Sequence, residues 1–218
     1  MTDKILKDEI IDTSIPTDLC HIMGKYGSDK GSSYPNKSWH NYTTIYHKLF
    51  ETIRYDKLKI FELGLGTNNP NIPSNMGVNG VPLASVRGWE EYFSNSEISG
   101  ADIDVDILKN EGRIKTFYCD QLNHTVIANM WNSIGKVDII VEDGLHEFHA
   151  NVCFFENSVN QFNKYYITED IVNDNYDKFL NIINGKWKVI YPDLSFQLIK
   201  VNSEKNKVDN TMLIIKRN

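Results

Sequence analysis

Residues 137 to 150, VDIIVEDGLHEFHA, set Glu142, Asp143, His146 and His149 directly after an apolar run. A carboxylate and an imidazole three residues apart, just past a strand end, suit hydroxyl activation. Carboxylate oxygens hold hard divalent cations, and a histidine of ordinary pKa can take a proton near neutrality. Further along, Glu169 and Asp170 follow a second apolar run. Asp143, Glu169 and Asp170 thus offer three oxygen donors of the kind that bind Mg²⁺, Mn²⁺ or Ca²⁺, and without a cation they would repel one another. His146 is the candidate general base beside them. His149 reads as a half-exposed helix histidine, and Glu142 faces away from Asp143 because strand side chains alternate. Any one of these residues alone reads equally as a solvated surface group.

Other strand ends carry a second set. FELGLGT, residues 61 to 67, contains Glu62, Gly64, Gly66 and Thr67 at a strand-to-loop transition, where glycines let the backbone approach a ligand closely. The third glycine of the dinucleotide fingerprint is missing, since Asn69 stands in its place, and this disfavours a nicotinamide or flavin site. Asp102, ending the next strand, is placed to accept hydrogen bonds from ribose hydroxyls, and its neighbour Asp104 could substitute. Asp120 and Gln121, ending the third, could reach an adenine edge. For Asp102, Asp104, Asp120 and Gln121 the alternative is loop or helix capping.

The elements that must position these groups are short strands alternating with helices. LKIFEL (58 to 63), EISGAD (97 to 102), RIKTFY (113 to 118), KVDIIV (136 to 141), KYYIT (164 to 168) and WKVIY (187 to 191) read as strands. ASVRGWEEYF (84 to 93) carries Val86, Trp89 and Phe93 on one helical face, and TVIANMWNSI (125 to 134) carries Val126, Met130 and Trp131. Both sets read as core. This alternation predicts an α/β fold, Rossmann-like, with a mostly parallel sheet covered on both faces by helices. FQLIKV (196 to 201) and TMLIIK (211 to 216), joined by a polar turn, predict a C-terminal antiparallel hairpin. Such a sheet binds ligands outside the carboxyl ends of its strands.

Upstream, MGKYGSDKGSSYPNKSWHNYTTIYHKLFE (23 to 51) opens on a Gly/Ser-rich loop and runs into a helix whose Tyr42, Ile45, Tyr46, Leu49 and Phe50 form an apolar stripe. The stripe reads as core packing. The loop Tyr26 to Gly31 suits a lid that brings hydroxyl and ammonium groups to a ligand. Residues 1 to 55 are therefore taken as a helical cap and 56 to 218 as one ligand-binding unit. Residues 68 to 82, NNPNIPSNMGVNGVP, interrupt the alternation as a long loop.

The chain has 218 residues, 41% of them hydrophobic, enough for one core and one site. Its formal net charge of −6, with no basic block, argues against nucleic acid and for a small acceptor. Cys20, Cys119 and Cys153 form neither a disulfide framework nor a thiolate zinc pattern, which suits a reducing cytoplasm. The opening MTDKILKDEI has no apolar signal region, and no stretch is apolar enough to span a membrane.

Taken together, KYGSDKG (25 to 31) with HNYTTIYHKLFE (40 to 51), FELGLGT, ASVRGWEEYF with GADID (100 to 104), FYCDQ (117 to 121), VDIIVEDGLHE (137 to 147) and YYITEDI (165 to 171) resemble class I S-adenosylmethionine-dependent methyltransferases. Within that class they resemble the metal-dependent sugar O-methyltransferases of macrolide and surface-glycan tailoring. The resemblance, over roughly residues 22 to 172, implies a seven-stranded sheet with an antiparallel final strand. It implies a cofactor lying over Gly64 and Gly66 with its ribose on Asp102 and its adenine near Asp120 and Gln121. It also implies metal ligands at Asp143, Glu169 and Asp170, Mg²⁺ being the expected ion, and a general base at His146. Two departures stand out: the interval from Gly64 to Asp102 is lengthened by the 68 to 82 loop, and the usual DDG reads Glu142-Asp143-Gly144.

The expected activity is S-adenosylmethionine-dependent O-methylation of a hydroxyl on a sugar or related polyol, free or nucleotide-linked, in capsule, surface-glycan or natural-product biosynthesis. A phosphorylated or phosphoramidate capsule modification is an alternative acceptor. A non-catalytic nucleotide- or metal-binding module on the same fold is the rival from another class. A homodimer is the default assembly.

Overall fold

A computed structural model describes residues 5 to 6 and 13 to 218. Most of the charged opening stretch MTDKILKDEI lies outside the described residues.

Seven strands form one sheet: β1 (Lys59–Leu63), β2 (Glu97–Asp102), β3 (Ile114–Tyr118), β4 (Val137–Glu142), β5 (Phe162–Thr168), β6 (Leu194–Lys200) and β7 (Thr211–Arg217), in the order β3-β2-β1-β4-β5-β7-β6. β1 to β5 are mutually parallel, and β7 runs antiparallel to both β5 and β6. The C-terminal hairpin is formed as expected, with Leu194 opposite Arg217 and Lys200 opposite Thr211. β7 is inserted between β5 and β6, so it alone opposes the rest. Strand order reverses between β1 and β4, which is where an open α/β sheet leaves a crevice.

Strand alternation sorts the side chains onto two cores. Ile60, Ile98, Ile139, Val141 and Ile167 face α1 (Asp18–Tyr26), α2 (Thr43–Phe50) and α3 (Ala84–Tyr92). Phe61, Leu63, Ile140, Tyr166 and Ile215 face α4 (His124–Ile134), α5 (Phe148–Ser158) and α6 (Tyr176–Ile182). Val86, Trp89 and Phe93 are fully buried, as is nearly all of the α2 stripe. On α4 the buried residues are Ile127, Met130 and Trp131, whereas Val126 is half-buried, so the apolar face is turned one residue from the expected one.

The segment WKVIY is not a strand. α6 runs on through a π-helical turn, Ile183–Trp187, into α7 (Lys188–Ile190). Trp187 alone is buried, against Phe155 at 4.4 Å between ring centroids, with its Nε1 donating to Glu156 at 2.9 Å; Val189 and Ile190 point outward. A run of five residues is too short to separate helix from strand, and no proline interrupts 176 to 191. Pro192 then ends the helix, with Tyr191 before it out of the helical region at φ −122°, ψ 70°. No helix among the described residues is long and apolar enough to cross a membrane.

Candidate active site

The same parity that builds the cores aims the acidic residues at the strand ends. Glu62, Asp143 and Glu169 fall on the α1–α3 side, and Glu142 on the other. Glu142 is buried and accepts from Gln121 Nε2 at 2.7 Å and Asn151 Nδ2 at 2.6 Å. The parallel ladder continues past the strand ends, with Asp143 N donating to Leu63 O at 2.9 Å and Glu169 N to Glu142 O at 2.9 Å. This fixes Asp143 and Glu169 side by side.

A cavity of about 640 Å³ opens over these ends, within the range of small-molecule sites. Gly64, Gly66, Thr67 and Asp102 form one wall, and Asp120 and Gln121 continue it. Asp143, His146 and Asp170 form the facing part. The 68 to 82 loop supplies Asn71 to Met76 as a further wall and is tied down by Ser74 Oγ donating to Leu145 O at 2.8 Å and by Met76 N donating to Thr67 O at 2.9 Å. Ser28 to Lys30, Trp39 and His40 close the side nearest the N-terminal helices.

Asp102 accepts from Leu65 N at 2.6 Å and from Asp104 N at 2.9 Å. That leaves half of its acceptor capacity for a ligand. Burial pushes its pKa up, opposed by those backbone donors. Glu62, Asp104 and Glu169 stand behind the cavity wall. Glu62 accepts from Ser85 Oγ at 2.7 Å and Trp89 Nε1 at 2.5 Å. Asp104 accepts from Thr67 Oγ1 and caps a 3-10 turn through Asp106 N at 3.1 Å. Gln121 lines the cavity, but its amide is committed to Glu142 and to Leu145 N, the latter at 2.8 Å.

His146 sits between two carboxylates, with Nε2 3.0 Å from Asp143 Oδ1 and Nδ1 3.7 Å from Asp170 Oδ2. Its backbone is left-handed, φ 62°, as is that of Asp170, φ 53°. Two non-glycine residues held in this region mark an over-determined site. Burial disfavours the imidazolium, but Asp170 and then Asp143 outweigh it and raise the pKa to about 10. Asp143, despite its own burial, is held well below the usual carboxylate range by Lys30 and His146.

Ligand atoms of Asp143, His146 and Asp170 lie within 4.8 Å of one another, a donor set of two hard oxygens and one imidazole that can hold a divalent cation. The His146 ring stands between the two carboxylates, where such a cation would cancel their charge. Glu169 is turned elsewhere: it accepts from Tyr46 Oη at 2.5 Å and from Lys30 Nζ at 2.5 Å. Of the expected carboxylate trio, the structure brings Asp143 and Asp170 to the cluster and engages Glu169 beside it. His149 is exposed and pairs with Glu147 at 3.2 Å.

Several residues at the site were hidden in patterns that read as packing. Tyr42 Oη donates to Asp170 Oδ1 at 2.7 Å, and Tyr46 serves Glu169 in the same way one helical turn on. The signal was the type itself, since a buried tyrosine hydroxyl needs a partner. His40 lies 3.3 Å from Asp170 through Nδ1 and stacks on Tyr42 at 4.9 Å.

No protein-family model matches the chain. Among curated proteins it is similar to 8-demethyl-8-alpha-L-rhamnosyl tetracenomycin-C 2'-O-methyltransferase of Streptomyces olivaceus, 27% identical over 155 residues, covering 70% of this chain and 37% of that protein. It is similar also to demethylmacrocin O-methyltransferase of Streptomyces fradiae, 28% identical over 145 residues, covering 63% of this chain and 33% of that protein. The match thus spans about a third of these relatives' length. Among solved structures, the MycE methyltransferase from the mycinamycin biosynthetic pathway, in complex with Mg, SAH and mycinamycin VI, superposes with a TM-score of 0.70 at 18% identity, over 94% of this chain and 56% of that one. The chain has the class I methyltransferase fold and resembles in sequence the sugar O-methyltransferases of natural-product pathways.

Proposed function

We propose that this protein is an S-adenosylmethionine-dependent O-methyltransferase, assisted by a divalent cation, that methylates a hydroxyl of a sugar or related polyol. The observation that carries this reading is that the Asp143–His146–Asp170 cluster and the Gly64–Gly66–Asp102 wall open into one cavity. A methyl donor and an acceptor oxygen would therefore meet in a single cavity, which is the positioning that methyl transfer needs.

Asp102 holds the cofactor's ribose, while Gly64 and Gly66 let the backbone come close to it. Asp120, with Gln121 behind it, borders the adenine end. Asp143 and Asp170 hold the cation, with Glu169 able to join them from its place beside Asp143. S-Adenosylmethionine supplies an electrophilic methyl, and the cation lowers the pKa of the acceptor hydroxyl. His146 takes the hydroxyl proton. With no cation on Asp143 and Asp170, those carboxylates raise its pKa to about 10, which leaves it protonated at neutral pH and unable to do so. Neutralising Asp143 and Asp170 returns it toward its ordinary pKa and frees its ring to act as a base.

The segment before residue 56 caps this site, and the rest of the chain forms the cofactor-binding unit. A net charge of −6 favours a small acceptor over a polyanion. Rhamnosyl and related glycosides are the first acceptors to try, on a natural product or a surface glycan, because the similar curated enzymes include those that methylate rhamnosyl tetracenomycin C. The site would work in the cytoplasm, with a homodimer as the default assembly.

The test is calorimetric titration of S-adenosylhomocysteine with and without Mg²⁺, followed by methyl transfer from labelled S-adenosylmethionine to simple rhamnosides and nucleotide-linked sugars. Micromolar binding that Asp102→Ala weakens, with transfer that chelation abolishes, is the expected result. Absence of cofactor binding would overturn the reading.

A further inference from the structure

Lys30 is almost wholly buried, 2% exposed, inside a ring of carboxylates. Its ammonium meets Asp143 Oδ2, Glu169 Oε2 at 2.5 Å and Glu62 Oε1 at 3.2 Å. Three acidic side chains from three strand ends converge on one amine that arrives from a loop far upstream. The backbone secures that arrival: Thr43 N donates to Lys30 O at 3.2 Å, and a Cβ at Gly31 would fall 2.0 Å from Thr43 Oγ1. Only a glycine there lets the loop lie this close to α2.

Asp143 divides its two oxygens. Oδ2 goes to Lys30, and Oδ1 faces His146 and the cation cluster at 3.0 Å. Lys30 and a bound cation would therefore flank the same carboxylate from opposite sides. Lys30 also takes one oxygen of Glu169 while Tyr46 takes the other, which keeps that carboxylate out of the Asp143–His146–Asp170 set.

We infer that Lys30 is a resident counter-cation that sets the divalent-cation affinity of the site, weakening it by sharing Asp143 and by engaging Glu169. This rests on the proposed cation site at Asp143 and Asp170. It assigns the KYGSDKG loop a role as the electrostatic partner of the strand ends, beyond that of a wall. In this role Lys30 acts through Asp143 and Glu169, so it is a positioning residue.

The experiment is Mn²⁺ binding to the full chain, read by the electron paramagnetic resonance of free Mn²⁺ with no cofactor or acceptor present. Lys30→Met, which keeps length and apolar bulk but removes the charge, is expected to bind Mn²⁺ about tenfold tighter or more, because a like charge is lost from a poorly solvated neighbourhood. Lys30→Arg is expected to stay near wild type. Removing one partner of a buried ion cluster can unfold a protein, so the double variant Lys30→Met/Glu62→Gln, which removes a charge of each sign, is measured alongside. It is expected to fold, by thermal unfolding, and still to bind more tightly.

Unchanged or weaker binding in both Met variants, with wild-type binding that Asp170→Asn removes, would overturn the Lys30 inference and leave the cation site standing. Wild-type protein that binds no Mn²⁺ would overturn both.

Discussion

The carbonyl oxygen of Asp143 occupies the space that a side chain at Gly64 would need: a Cβ there would lie 1.9 Å away. Gly64 also has φ 89°, a conformation that costs any other residue. The first glycine of FELGLGT is thus required by the approach of β1 to the end of β4, at the point where strand order reverses. Gly64→Ala is expected to destabilise the fold by about 2 kcal/mol or more and to abolish S-adenosylhomocysteine binding. A thermal midpoint equal to wild type would show that the strand ends can part without cost.

Asp102 and Asp104 separate cofactor binding from structure. Asp102 faces the cavity with spare acceptor capacity, whereas Asp104 is occupied by Thr67 and a 3-10 turn. Asp102→Ala is expected to weaken S-adenosylhomocysteine binding by about tenfold or more, the loss of a charge-assisted hydrogen bond. Asp104→Ala is expected to lower the thermal midpoint and change that binding less. Titration calorimetry and thermal unfolding on both variants decide it, and equal losses of affinity would contradict the division.

The sheet was legible because its signals are local. β1 to β5 are short, largely apolar runs set between loop and helix patterns, and the hairpin of β6 and β7 left no room for a helix. What could not be read was the order of strands, set by contacts between residues far apart in sequence, and the state of WKVIY, where the choice of helix depends on continuity with α6. At the site, the strand-end acids stood out by type and position. Their partners did not: Lys30 lies 113 residues from Asp143 and 139 from Glu169. Tyr42 and Tyr46 sat in a stripe whose hydrophobicity hid their hydroxyls. Glu62 and Gln121 were identified at strand ends, but strand parity and the amide's two partners turn their polar groups inward.

Trp187 tests the helical reading of WKVIY. It packs on Phe155 and stacks on Phe196 at 6.1 Å, on the face of the sheet away from Lys30. Trp187→Ala is expected to cost about 3 to 5 kcal/mol, read by urea unfolding, while cofactor affinity in the folded protein stays within about twofold because no part of the cavity wall is touched. Lys188→Pro, which would be tolerated at an edge strand but breaks a helix, is expected to destabilise as well. A neutral proline would argue for an extended segment after all.

His146 makes stability depend on pH, and a bound cation should weaken that dependence. Its pKa is raised from the ordinary 6.5 to about 10 in the fold, because Asp170 and Asp143 outweigh the opposing effect of burial. A raised pKa means that the folded state holds the proton more tightly than the unfolded one. The resulting stabilisation is fully present below about pH 6.5 and is lost as pH climbs toward 10. In a chelator, the thermal midpoint should therefore fall by several degrees across that window. The His146→Gln variant should show a flatter profile, which isolates this residue from the other buried acids. Added Mg²⁺ should flatten the wild-type profile too, since a cation on Asp143 and Asp170 removes the charges that hold the proton on His146, and the same charge compensation is what makes the imidazole a base at neutral pH. A wild-type profile that His146→Gln leaves unchanged in chelator would mean that the imidazole does not carry the bridging proton, and the coupling between cation binding and base strength would fall with it.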